Sequence, residues 1–72
     1  MRWKGNKKFK EVITDDGYRL IAQYVQESKY WWIVYKNGEI INRALSDEDY
    51  AKSIQLAQGK ARQRMIKHLI KT

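Results

Sequence analysis

The chain has no cysteine, no proline and one histidine, His68, among its 72 residues. Without cysteine there is no disulfide framework and no thiolate zinc site. One imidazole cannot build a His-rich metal centre. No stretch approaches the ~18 apolar residues that span a bilayer. Residues 1–8, Met-Arg-Trp-Lys-Gly-Asn-Lys-Lys, are basic but lack the apolar core of a secretory signal. No Gly-x-Gly-x-x-Gly or Walker-type phosphate loop is present. The serines are Ser28, Ser46 and Ser53, with His68 near the chain end as the one candidate base. The inventory therefore points away from an enzyme, and no cofactor or metal is expected. Acids are scarce: 8 Asp+Glu against 15 Lys+Arg leave a formal charge of +7. What is plentiful is aromatic surface, with three Trp, five Tyr and one Phe, which is too much for a disordered chain. These features describe one small, basic, soluble domain, expected in the cytoplasm. A domain of this size buries only about 60% of its unfolded surface; large rings, each removing roughly 150–250 Å² from water, compensate.

Charge is concentrated at the ends. Residues 1–10 carry +5 and residues 52–72 carry +6, whereas 11–28 and 46–51 each carry −3. The sharpest local signal is Asn37-Gly38 between Trp31–Lys36 and Glu39–Arg43, both rich in β-branched and aromatic residues. Asn-Gly favours positive φ at both central positions, so a two-residue hairpin is expected. It sets Lys36 opposite Glu39, Val34 opposite Ile41 and Trp32 opposite Arg43. Asp15-Asp16-Gly17 is a further turn signal, and Tyr18 to Gln26 reads as a strand after it. With Glu27-Ser28 as a second two-residue turn, one sheet face collects Tyr18, Leu20, Ala22, Tyr24, Trp31, Ile33, Tyr35, Ile40 and Ala44 as the core. The opposite face collects Arg19, Ile21, Gln23, Val25, Tyr30, Trp32, Val34, Lys36, Glu39, Ile41 and Arg43. A one-residue change at the first turn would exchange these faces.

The C-terminal third has helical periodicity, with Tyr50, Ala51, Ile54, Ala57, Ala61 and Met65 on one stripe. Ser46 followed by Asp47-Glu48-Asp49 reads as an N-cap with acids on the positive end of the dipole. That explains this acidic run better than a metal site does, as a turn explains Asp15-Asp16. Gly59 interrupts the pattern, so a kink or fraying is expected after it. The expectation is an α+β fold: a three-stranded antiparallel sheet, with a short extra strand near Phe9–Thr14, packed on one C-terminal helix. Residues 1–8 are expected to form a basic tail and 9–72 a single β-β-β-α domain, with Trp3 and Phe9 closing one edge of the core.

Two features carry function. One is the pair of basic ends, with Arg2, Lys4, Lys7, Lys8 and Lys10 in the tail and Lys60, Arg62, Arg64, Lys67 and Lys71 on the helix; such an excess attracts polyanions by counterion release. The other is the non-core sheet face, where Tyr30 and Trp32 can stack and Arg19, Gln23, Lys36 and Arg43 can meet base edges. Ordinary cross-strand pairs, including a Trp32–Arg43 cation–π contact, or a covering of this face by residues 1–14, are the plain alternatives.

From Gly17 to about Ile70, the order of elements resembles the arm-type DNA-binding domains of tyrosine recombinases of phages and conjugative transposons. It also looks like the plant AP2-type domains. The likeness is carried by Tyr30-Trp31-Trp32-Ile33-Val34-Tyr35 as central strand, Asn37-Gly38 as hairpin, and Ser46 with Tyr50-Ala51 opening the helix. The resemblance implies a sheet that enters the major groove, with Arg19, Gln23, Tyr30, Trp32, Lys36 and Arg43 at the bases. This chain departs from that pattern by carrying Ile21, Val25, Val34 and Ile41 on the same face. The compact outline also looks like small proteins encoded by phages and prophages. The expected function is nucleic-acid binding, DNA in preference to RNA, with phosphates held by Lys4, Lys7, Lys8, Lys60, Arg62, Arg64 and Lys67, and no membrane role. The rival is a protein–protein adaptor, such as a phage product modulating a host protein, that docks through the apolar sheet face or pairs two copies through Ile66 and Ile70.

Overall fold

The computed structural model describes residues 2–71. Met1 of the expected tail and Thr72 of the expected domain lie outside the described residues. Strands β1 (Lys4–Gly5), β2 (Phe9–Ile13), β3 (Tyr18–Gln26), β4 (Lys29–Lys36) and β5 (Glu39–Arg43) form one antiparallel meander in the order β1-β2-β3-β4-β5. Helix α1 (Ile54–Lys71) covers one face of it. The fold is α+β, with five strands where three and a short extra one near Phe9–Thr14 were expected.

The strand beyond that expectation, β1, comes from the basic N-terminal stretch. Asn6 accepts the Lys8 and Phe9 amides on its side-chain oxygen at 2.8 and 3.0 Å, and donates its own amide to the Phe9 carbonyl. This side-chain-closed turn folds β1 back on β2. Gly5 has φ +132°, and a Cβ there would collide with the Phe9 carbonyl, so the close approach requires glycine. Residues 4 onward are thus part of the sheet rather than a tail, and they extend it sideways instead of covering its outer face.

Asn37 (φ 51°) and Gly38 (φ 86°) make the expected hairpin, with Lys36 opposite Glu39 and Tyr35 opposite Ile40. Two bulges then reset the register. Val25 is unpaired between Tyr24↔Tyr30 and Gln26↔Lys29, and Ile41 is unpaired between Tyr35↔Ile40 and Val34↔Asn42. The first bulge exchanges the faces of β4 relative to expectation. Trp32 and Val34 lie in the core beside Tyr18, Leu20 and Ala22, while Trp31, Ile33 and Tyr35 stand on the other side with Arg19, Ile21 and Gln23. The partition expected for β3 holds. Phe9, opposite Gln23, also belongs to the outer face, whereas Trp3 packs against the core.

The helix supplies Ile54, Ala57, Ala61 and Met65 to that core. Ala57 and Ala61 are fully buried, and their small side chains let the helix backbone lie close on β3 and β4. Tyr18 Oη and His68 Nδ1 are 2.7 Å apart, tying the last turns to β3.

The helix starts later than its acidic prelude suggests. Asp47–Asp49 is a short 3-10 turn with no side-chain cap from Ser46, and Tyr50 is extended. Tyr30 and Ala51 exchange both backbone hydrogen bonds, at 2.8 and 2.9 Å, and Trp32 Nε1 donates to the Asp49 carbonyl at 2.9 Å. Segment 44–51 is thereby held against β4 where β5 has ended. Ser53 caps instead: its hydroxyl accepts the Leu56 amide and its carbonyl the Ala57 amide. The helix runs without interruption through Gly59 to Lys71, against the expected break. A Cβ at Gly59 would meet nothing within 4 Å. Gly59→Ala should therefore stabilise the domain by about 1 kcal/mol, seen as a rise of roughly 4–8 °C in thermal midpoint.

Candidate nucleic-acid interface

The predicted contact residues divide between two opposite layers. Trp32 is 2% exposed, so the central ring of the expected reading face is sealed under the helix, not under residues 1–14. Its cationic neighbour is Arg64, whose guanidinium carbon lies 5.6 Å from the ring centroid, and not Arg43. Tyr30 packs against the core and lies edge-to-face on Tyr24 at 5.5 Å. Lys36 is on the helix side, where its ammonium sits 4.2 Å above the Tyr18 ring and donates to the Asp16 carbonyl. These three leave the reading face for one cause, the Val25 bulge.

Arg19, Gln23 and Arg43 do stand together on the outer face. They share it with rings that the expectation had placed in the core. Cross-strand rows run Phe9–Gln23–Trp31, Lys4–Glu11–Ile21–Ile33–Arg43, and Ile13–Arg19–Tyr35–Ile40. Ile21 and Ile33 are buried as a pair at the centre, framed by half-buried Phe9, Trp31 and Tyr35. Trp31 also touches the edge of the main core. Arg19 is neutralised by Glu11, its Nε donating at 2.6 Å, and its guanidinium lies 5.6 Å from the Tyr35 ring centroid. The face is thus ring-bearing and only weakly cationic. The adaptor alternative placed Ile21, Val25, Trp32, Val34 and Ile41 on it. Ile21 does lie there, paired with Ile33, whereas Trp32 and Val34 are core, Ile41 packs towards the core, and Val25 is the bulge.

The helix layer has the opposite character. Ile54–Lys71 contains Lys60, Arg62, Arg64, Lys67 and Lys71 and no acid. Steps of four, three and four residues keep Lys60, Arg64, Lys67 and Lys71 within about 60° of one another, at ~100° per residue. Arg62 falls on the other flank, near exposed Ile66 and Ile70. The stripe is about 16 Å long at ~1.5 Å per residue. Arg64 is steadied by Trp32 beneath it; Lys67 and Lys71 are exposed. In the arm, Lys7 and Lys8 are exposed at the β1–β2 turn, with the Lys8 ammonium 5.1 Å from the Tyr24 ring centroid, while Lys4 joins the outer sheet face.

The helical spacing of this stripe could have been read from the residues, but only the pairing at Trp32 shows that its cations and the sheet cations face away from each other. Among the described residues, no group of three or more His, Cys, Asp or Glu is placed to hold a metal ion, and no helix is long and apolar enough to cross a membrane. No family model, curated protein or solved structure matches the chain.

Proposed function

We propose that the protein binds nucleic acid, double-stranded DNA in preference to RNA, by laying the Lys60–Arg64–Lys67–Lys71 flank of α1 along the phosphate backbone. The observation that carries this is the alignment of four cations on a helix without a single acid. Each strand of a duplex carries one charge per ~3.4 Å of axis, so about five phosphates of one backbone lie along a 16 Å stripe, enough to meet its four cations. Binding follows from release of condensed counterions, and its sequence preference is weak because phosphate contacts position without specifying. Arg19, Gln23 and Arg43 cannot add base contacts to the same duplex segment, since the sheet lies between them and the helix.

A salt titration tests it. With four phosphate contacts the slope of log affinity against log salt should be near −3.6. Replacing Lys60, Lys67 and Lys71 by glutamine, sparing Arg64 and its contact with Trp32, should flatten the slope by about 2.7 with an unchanged circular dichroism melt. Absence of duplex binding at low salt would reject the proposal.

A further inference from the structure

We infer that the outer sheet face is a site for single-stranded nucleic acid, separate from the helix flank, so that the protein holds an unpaired strand and a duplex at once on opposite layers. The second occupant rests on the helix-flank proposal; the sheet site does not.

The chemistry of the two layers differs in kind. The helix flank has dense charge, and the ring beneath it is buried. The sheet face has three half-buried rings, one amide and little net charge. A duplex shows phosphates and groove edges but no base faces, so this sheet offers it little. Unpaired bases show π-faces, and sheets that take them do so by stacking about two or three bases on rings. Trp31 and Tyr35 are four residues apart on β4, about 13 Å, and Phe9 lies two strands from Trp31, about 10 Å. Gln23, between Phe9 and Trp31, can donate to and accept from an exposed base edge. Lys4 and Arg43 close the two ends of the central row, where they can meet a backbone that crosses the strands. Arg19 is held over Tyr35 and adds a planar cation for stacking.

The experiment uses a fluorescent oligothymidylate of about twenty nucleotides and an unlabelled duplex, with the full chain. The oligothymidylate should bind with a shallow salt slope, near −1.4 for two contacts. Trp31→Ala with Tyr35→Ala should weaken it at least about tenfold while duplex affinity stays. Saturating duplex should leave the labelled strand bound. On the unaltered protein, amide shifts of Gln23, Ile13 and Ile40 should move with oligothymidylate and those of α1 with duplex, which keeps the test open if the double variant does not fold. Mutual displacement of strand and duplex overturns the inference. So does duplex binding without oligothymidylate binding, which leaves the helix-flank proposal standing. Strand binding without duplex binding supports the sheet site and removes the helix-flank proposal together with dual occupancy; binding of neither removes both. Trp31-dependent self-association that excludes the strand overturns the sheet site by giving this face to a second copy.

Discussion

Trp32→Ala should remove a large part of the folding free energy. The ring is 2% exposed in the main core, and its indole N–H holds the Asp49 carbonyl. Deleting a buried ring of this size costs about 3–5 kcal/mol. A chain of 72 residues has on the order of 4–11 kcal/mol in all, at 0.05–0.15 kcal/mol per residue. The loss also strands the Asp49 carbonyl and takes the surface from under Arg64. Trp32→Phe separates these effects: it keeps most of the packing and loses the hydrogen bond, for about 1–3 kcal/mol. Urea unfolding monitored by circular dichroism gives both values. Trp31→Ala, on the half-buried side of the same strand, should cost clearly less. Equal losses for the two tryptophans would contradict the observed assignment of faces.

The second expected result is a deletion that the core should survive. Val25→Ala should fall within about 0.5 kcal/mol of the parent, because Val25 is 47% exposed and unpaired. Deleting Val25 removes the one extra residue between Tyr24↔Tyr30 and Gln26↔Lys29. Both pairs are kept and become neighbours in a regular ladder around Glu27-Ser28, so Trp32 and Val34 stay on the helix side. With Val25 present, a regular ladder would instead pair Val25 with Tyr30, slip β4 by one position and turn Trp32 and Val34 outward. The deletion variant should therefore keep the cooperative thermal transition and the dispersed amide spectrum of the parent. Loss of both would show that Val25 does more than absorb one position of register.

The same residue marks where the fold was legible in the sequence and where it was not. Asn37-Gly38 announces its hairpin because two adjacent positive φ angles demand those residue types. The partition of β3 is legible because Tyr18, Leu20 and Ala22 alternate with Arg19 and Gln23. The bulge has no such signature: Val25 resembles any strand residue, and no glycine marks it. Since the turn sets which side of β4 is buried, Tyr30, Trp32 and Lys36 were assigned to the wrong layer, while Arg19, Gln23 and Arg43 were assigned correctly. The helix start failed for a related reason. Ser46 with three acids is a good local cap, but the Trp32 indole and the unpaired edge of β4 at Tyr30 claim Asp49 and Ala51. Long-range hydrogen bonds outweighed local preference, and the cap passed to Ser53. The basic helix stripe was visible as composition; its separation from the sheet cations was not, because that depends on which face the helix covers.

The two flanking strands of the meander also govern how the protein behaves when concentrated. β1 is two residues long, and β5 is broken by the bulge at Ile41 after a further two. Neither border presents the long, straight row of open amides and carbonyls on which a foreign strand can polymerise. A molecule with Ile13 and Ile40 in water is thereby guarded against fibril growth by geometry at its margins.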